Sequence, residues 1–397
     1  MKDNRTFDVY KKLKHFCSAK VFKPLPFIKL DNNFLITDPD EQIALWLDHY
    51  MKIFDSKRPS LFPSSSHNIE PPDANFTVAE ITKAINRLRN NESPGHDNIL
   101  GEHLKAAPSE VSQLLLGLFN KIWHTGKMTG DWNLTIFYNF PKIPNPTKFK
   151  DYRAIALTSI VLKVFMILLK NRILAFSPNL LSKYICAYCP NRNINEPILA
   201  LNIIVQKCEK YKLPFYFIFI DFKRASGSIT HDTLWAILVR CGIEANFIKI
   251  LEMHYNNLMA SFKFLNKVSP PFRTKKGANL LELGSNQPWF LENRAISYAD
   301  DLVLIAKNLE EANNLVLILN TFSLKVGLDI NFDKTVIMPS SHALPLGVWL
   351  VGGKVVKVVS SYKYLGVNID NKGSYKDELR FRIQNARAAF YKYSMEN

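Results

Sequence analysis

Cysteine is scarce in this 397-residue chain. Its five cysteines are irregularly spaced, which argues against a disulfide framework and fits a reducing compartment. Cys186 and Cys189 form a C-x-x-C pair, but no second pair or nearby histidine completes a zinc site. Long apolar runs are also missing. The longest, at about 155–176, is interrupted by Lys163, Lys170 and Arg172, and so predicts a core helix rather than a membrane span. The N-terminus lacks the apolar run a signal peptide needs, and KDEL at 376–379 is internal, where it is no retention signal. Together these absences predict an intracellular protein, nuclear or cytoplasmic, with no membrane partner. There is no internal repeat.

Acidic residues are outnumbered. Lys and Arg total 51 against 35 Asp and Glu, giving a net charge of +16 and a pI near 9.4. Such an excess points to a polyanion, either nucleic acid or an acidic membrane surface. The basic residues are dispersed (KKLKH near the start, RLR at 87–89, RFR at 380–382), as they would be along a groove. With 47% hydrophobic and 22% charged residues the chain is a folded one, long enough for two or three subdomains.

Residues 1–55 read as helical and basic, with an amphipathic piece at EQIALWLDHYMKIF, and a Pro/Ser-rich linker follows. Thr77 and Glu80 form a capping box ahead of a helix with Ile81, Ile85 and Leu88 on its apolar face. Helical patterning resumes over 101–126, a strand is predicted at 136–143, and helices at 158–176 and 195–210. PFYFIFIDF at 214–222 is a continuous apolar run ending in an acid, the mark of a central strand covered on both faces. One helix is predicted at about 231–258, then a hairpin at 295–306. A helix from Asn308 puts Ala312, Leu315, Leu319, Phe322 and Val326 on one face, with Gly327 as its cap. Strands at 328–338 and 361–369 precede a last helix near Ser374. Its periodicity buries Leu379, Ile383, Ala386 and Phe390 and turns Arg380, Arg382, Arg387 and Lys392 outward. The class is α+β around one antiparallel sheet.

The chemistry concentrates in Tyr298-Ala299-Asp300-Asp301. Two adjacent carboxylates stand between the apolar runs AIS and LVLIA, in a strand–turn–strand pattern. Acids at the tip of a buried hairpin repel one another unless a cation neutralises them, although Asp is also an ordinary turn residue. Asp221 closes the central strand. If that strand and the hairpin are neighbours, three carboxylates converge, and such a set can hold two Mg²⁺ ions for in-line phosphoryl transfer.

Over roughly residues 40–395 the chain resembles the reverse transcriptase of a non-LTR, LINE-type retrotransposon. NNESPGHDNI at 90–99 is similar to a finger loop of that family. PKIPNPTKFKDYRAIALTSIVLKVF at 141–165 resembles the block that grips the incoming triphosphate, and implies this role for Arg153 and Lys142. CAYCPNRN resembles a segment in which Arg192 is kept and Cys189 stands where Arg is usual. IDFKRASGSI and SYADDLVLI resemble the two catalytic blocks.

GLDINFDKT at 327–335 resembles the block whose Lys, here Lys334, protonates the leaving pyrophosphate. SYKYLGVNID resembles the strand that grips the primer terminus, through Tyr364, Leu365 and Gly366. The resemblance implies a right-hand polymerase fold. An N-terminal helical segment and linker would occupy 1–75, fingers 76–180, a palm 181–370 and the start of a truncated thumb 371–397. It implies RNA-directed DNA polymerisation on an RNA template and a DNA primer, with deoxynucleoside triphosphates as substrates. Asp221, Asp300 and Asp301 would hold two Mg²⁺ ions, with Mn²⁺ as a substitute. Phe222 and Ser226 would contact the nucleotide, while Arg192 and Arg380 would contact nucleic acid.

Three departures accompany the match. Ala225-Ser226-Gly227 replaces the family's Ala-Phe-Asp, so Ser226 is too small to press on the sugar and exclude a 2′-hydroxyl. Ala154 replaces the Pro expected after Arg153. Between KKGAN at 275–279 and Tyr298, a Gln-Gly loop and the helix after it are missing, which predicts a deletion near 279–297. No endonuclease is expected in the residues ahead of the polymerase region. The alternatives are a catalytically degenerate, retrotransposon-derived nucleic-acid-binding protein, or another palm-type enzyme such as a nucleotide cyclase.

Overall fold

The computed structural model describes residues 28–29, 35–54, 74–143, 146–176, 186–187, 192–223, 229–264, 267–275, 294–344, 347–374 and 376–395. The chain divides into a smaller unit (Met1–Gln42, Asn139–Ala154 and Ser374–Asn397) and a larger one (Ile43–Tyr138 and Ile155–Gly373). Among the described residues no helix is long and apolar enough to cross a membrane.

Strands β1 (Ile28–Lys29) and β2 (Leu35–Ile36) pair antiparallel. Helix α1 (Pro39–Phe54) follows, its first turn capped by Asp38, whose carboxylate accepts from the backbone N–H groups of Asp40 and Glu41. The capping box of α2 (Val78–Asn86) is present, with Thr77 and Glu80 reciprocally bonded, and Ile81, Ile85 and Leu88 are buried as their spacing predicts. The helical stretch at 101–126 is two helices, α3 (Gly101–Ala106) and α4 (Pro108–Thr125). Pro108 accounts for the break, because it lacks the N–H needed to continue α3 but suits the first position of α4. Strands β3 (Leu134–Pro141) and β4 (Tyr152–Leu157) precede α5 (Ile160–Phe176), which is apolar on nearly every face and lies in the main core.

After α6 (Asn195–Tyr211) comes β5 (Tyr216–Ile220), every residue of which is buried. The helix expected over 231–258 is again two, α7 (His231–Arg240) and α8 (Ala245–Asn256). They are separated at Gly242, whose φ of +74° takes the backbone into the left-handed region. Strand β6 (Met259–Phe264) runs parallel to β3 and antiparallel to β7 (Lys267–Val268) and β8 (Phe272–Arg273). Tyr50 of α1 packs among Phe137, Phe262 and Phe272 on this second sheet.

The sheet that carries the acid-bearing hairpin is six-stranded. Around β5 it contains β9 (Ala295–Tyr298), β10 (Asp301–Ala306), β11 (Val336–Pro339), β12 (Trp349–Val351) and β13 (Lys354–Val358), in the order β12-β13-β11-β5-β10-β9. All its pairings are antiparallel except β11 with β13. Alternate side chains of β5 enter two cores. Tyr216, Ile218 and Ile220 meet Ala312, Val316 and Leu319 of α9 (Leu309–Lys325) on one face. On the other, Phe217 and Phe219 meet Leu201 and Val205 of α6, together with Tyr364 and Ile369. The last two belong to a separate hairpin, β14 (Ser361–Tyr364) and β15 (Val367–Asp370).

Some periodicity readings need correction. The strand expected over 328–338 exists only as β11. Residues 328–335 form a turn-rich approach to it, with Ile330 bridging singly to Phe222. On α9, Val316 rather than Phe322 is buried, and Phe322 is exposed. The final helix, α10 (Lys376–Met395), exposes Leu379, Ile383, Ala386 and Phe390, and Glu378 is the buried residue beside them. Heptad-like spacing places apolar side chains on one face but supplies nothing to cover it. The deletion expected near 279–297 falls largely on 276–293, outside the described residues.

Candidate active site

Strand β5 ends at Ile220, and Asp221 is the first residue beyond the doubly covered run. Strand β10 lies antiparallel to it, with Leu302 opposite Ile220, so the same register sets Asp301 opposite Asp221. Tyr298 pairs with Asp301, leaving Ala299 and Asp300 as a two-residue turn between β9 and β10. Ala299 has φ +55°, in the left-handed region where this kind of turn prefers glycine. Such a residue stores on the order of 1 kcal/mol of strain. The strand–turn–strand reading is therefore correct, and the site sits on a strained tip.

Alternation along β5 and β10 places Asp221 and Asp301 on the sheet face that carries Phe217, Phe219 and Val303. That face is covered by Tyr362 and Tyr364. The Tyr362 ring stacks on Phe219 at 4.3 Å, and the Tyr364 hydroxyl donates to the Asp301 carbonyl at 3.4 Å. Burial, followed by the charges of Asp300 and Asp221, pushes the Asp301 carboxyl above its ordinary pKa. Burial and then the charge of Asp301 also raise both tyrosines. One end of the sheet thus concentrates negative charge against a packed wall.

Residues 329–335 approach Asp221 from the β11 side. Asn331 N–H donates to the Asp221 carbonyl at 2.8 Å, Lys223 N–H to the Asp329 carbonyl at 2.8 Å, and Asp221 N–H to the Thr335 hydroxyl at 3.4 Å. The Asn331 side chain donates through Nδ2 to Asp221 Oδ2 at 3.0 Å, and Lys334 Nζ lies 3.7 Å from that same oxygen. Lys334 is 70% exposed, so its ammonium is solvated as well as paired.

Asp221, Asp300, Asp301, Lys334 and Tyr364 therefore come together. Phe222 bridges to Ile330 and packs between two cores. Leu365 and Gly366, at φ +49° and +85°, form the turn that closes β14 on β15. Arg192 is half-buried just before α6, and Ser226 lies outside the described residues. Lys142, Arg153 and Arg380 belong to the smaller unit. There Lys142 Nζ donates to the Lys150 carbonyl at 2.8 Å and its N–H to the Asp151 carbonyl at 2.7 Å, while Arg153 and Arg380 are exposed. Asn331, Thr335 and Tyr362 escaped the sequence reading. Their only signal was membership of the quoted blocks GLDINFDKT and SYKYLGVNID.

The donor chemistry suits a hard divalent cation, since the groups offered are carboxylate oxygens whose mutual repulsion a cation relieves. Among the described residues, no three His, Cys, Asp or Glu groups are arranged to hold an ion by themselves.

Residues 143–369 match the family described as reverse transcriptase (RNA-dependent DNA polymerase). A 115 kDa protein of the type-1 retrotransposable element R1DM of Drosophila melanogaster is 24% identical over 362 residues, covering 85% of this chain and 34% of the relative. The RNA-directed DNA polymerase of the Drosophila X-element transposon is 23% identical over 219 residues, covering 53% of this chain and 23% of its own length. A Pol polyprotein of the type-2 element R2DM is 21% identical over 330 residues, covering 75% and 30%. The chain thus spans about a third or less of the length of these curated relatives. Apo telomerase from Candida tropicalis is a structural neighbour with TM-score 0.42 and 12% identity, covering 62% of this chain and 48% of that one. The family match runs from the strand-rich segment before α5 through the acid-bearing hairpin to β15, more than half of the sequence, and this chain belongs to the reverse transcriptase family.

Proposed function

We propose that the chain is the polymerase core of a LINE-type retrotransposon reverse transcriptase, extending a DNA primer on an RNA template with deoxynucleoside triphosphates. The observation that carries this reading is the register of β5 against β10, which sets Asp221 across from Asp301 with Asp300 one residue away. In this reading 76–180 are fingers, 181–370 palm and 371 onward the start of a thumb, with 1–75 an N-terminal helical segment and linker.

Asp221 and Asp300 would be the principal ligands of two Mg²⁺ ions, with Asp301 a supporting acid and Mn²⁺ a substitute. When bound, these ions would supply positive charge to the attacking 3′-hydroxyl and the departing pyrophosphate. The chain's own residues do the rest. Arg153 and Lys142 offer cationic donors to the triphosphate, Arg in the fork geometry that suits phosphate oxygens. Lys334 carries a proton within reach of the Asp221 side of the site and can deliver it to the leaving group. Tyr364 holds the β10 backbone from behind, while the Leu365–Gly366 turn offers main chain to the primer end. Arg192 and Arg380 add phosphate contacts of the salt-sensitive kind.

Primer extension on poly-A with oligo-dT and Mg²⁺ tests the reading, comparing wild type with an Asp300→Asn/Asp301→Asn variant. Extension by wild type and its loss by a factor of at least about 100 in the variant is expected, with RNA binding retained by both. No extension by wild type, with salt-sensitive RNA binding intact, would instead support the degenerate, binding-only alternative.

A further inference from the structure

Among the described residues, the carboxylate of Asp221 is held from one side. Both contacts made to it by described residues go to Oδ2, one from Asn331 Nδ2 at 3.0 Å and one from Lys334 Nζ at 3.7 Å. A carboxylate accepts but does not donate, so the amide of Asn331 must turn its NH₂ group toward it. Asn331 is itself fixed. Its N–H donates to the Asp221 carbonyl, and its own carbonyl accepts from the N–H groups of Lys334 at 3.1 Å and Thr335 at 2.9 Å. One residue therefore touches Asp221 through both backbone and side chain, and closes the turn that carries Lys334.

We propose that Asn331 is a positioning residue that locks the Asp221 carboxylate in one rotamer, occupying Oδ2 and presenting Oδ1 to a divalent cation. This rests on the reading of Asp221 as a metal ligand. Three features separate the assignment from a merely structural hydrogen bond. The bond goes to a charged group, and such bonds are shorter and stronger than neutral ones. It leaves the second oxygen without a donor among the described residues, although Asp221 is about one-third exposed. It also ties the metal ligand to the turn of the candidate proton donor, so that displacing one displaces the other. Partners that orient a ligating carboxylate typically change metal affinity by about 10–100-fold when removed.

The test uses the full chain with Asn331→Leu, which keeps the size and removes the donor, Asn331→Ala, which removes both, and Asp221→Asn. Mn²⁺ binding is read from the free-ion electron paramagnetic resonance signal, and the Mg²⁺ dependence of primer extension is measured in parallel. Both Asn331 variants are expected to bind Mn²⁺ about tenfold more weakly and to need correspondingly more Mg²⁺ for half-maximal extension. Their kcat should fall while KM for the nucleotide stays within about twofold. Asp221→Asn should lose the dependence on Asn331 altogether. Thermal unfolding identifies any variant that fails to fold, in which case the other carries the test. Wild-type Mn²⁺ affinity and Mg²⁺ requirement in a folded Asn331→Leu would overturn the proposal, and so would Mn²⁺ binding that survives Asp221→Asn unchanged. A wild type that binds Mn²⁺ through Asn331 but extends no primer leaves the positioning role standing and removes the polymerase reading.

Discussion

His254, in the last turn of α8, is fully buried, and neither of its ring nitrogens has a hydrogen-bond partner among the described residues. Burial, reinforced by the nearby His231, drives its pKa down from 6.5 to about 4. The unfolded chain therefore takes up a proton as the pH falls through 6.5, while the folded chain resists until about 4. The unfolded state binds more protons throughout that window, so stability is lost as the solution is acidified and levels off below pH 4. The loss attributable to this one ring is about 2 kcal/mol at pH 5 and about 3 kcal/mol at its limit. Urea denaturation of wild type and His254→Leu at pH 7.5, 6, 5 and 4.5 reads it as a difference, which cancels carboxylates common to both. At pH 7.5 the variant should match or exceed wild type by about 1 kcal/mol, because a desolvated, unpaired donor is removed. The gap should widen in the variant's favour toward pH 4.5. Parallel pH curves for the two proteins would refute the reasoning.

Gly95→Ala should destabilise by about 2–3 kcal/mol, since a Cβ there would lie 2.7 Å from both Ser159 N and Thr158 C, and backbone cannot step aside. An unchanged denaturation midpoint would show that the loop slides. Arg172→Lys should cost about 2–3 kcal/mol, because the guanidinium donates to the carbonyls of Ala74 and Asn75 at 2.7 Å while lying 4.0 Å over the Phe76 ring. A change within about 0.5 kcal/mol by thermal melting would deny the fork a role. Asp301→Asn should stabilise the metal-free protein by up to about 1 kcal/mol, since it removes a carboxylate crowded by two others and no described donor bonds its side chain. Added Mg²⁺ should raise the wild-type melting temperature more than the variant's, and a less stable metal-free variant would mean the carboxylate is a structural acceptor.

Much of this was legible because it is local. The Thr77–Glu80 box, the buried run of β5 and the β9–β10 hairpin are each written in a dozen residues or fewer, with a periodicity or a cap that has one good solution. The acids stood out as candidates because a carboxylate beside a buried apolar run is costly unless it is solvated or paired. What failed depended on distant partners. Strands β12 and β13 are three and five residues long, and the Gly352–Gly353 turn between them carries a hairpin signal, yet β13 joins the sheet only by parallel pairing with β11. The apolar residues of α10 share a face as expected, but sharing a face does not determine burial. Asn331 is 110 residues from Asp221, and nothing in the spacing of an asparagine announces that contact.

The acidic end of the sheet is tolerable because stability and chemistry are drawn from different parts of the same strands. Each fully buried large side chain contributes about 1.5–3 kcal/mol, and β5 has five buried residues with a core on either face. Against that, the left-handed Ala299 and the crowding of partly solvated carboxylates each cost on the order of 1 kcal/mol. The difference lets the pleat continue one residue past the core on both β5 and β10 without unravelling. Antiparallel register then does the positioning, since a strand pair anchored at Ile220 and Leu302 cannot place Asp221 and Asp301 anywhere but beside one another. A slip of β5 by one residue would turn Asp221 toward the opposite core and move Phe217 and Phe219 to the face that packs on α9. The hydrophobic pattern that folds the strand is therefore also what aims the acids.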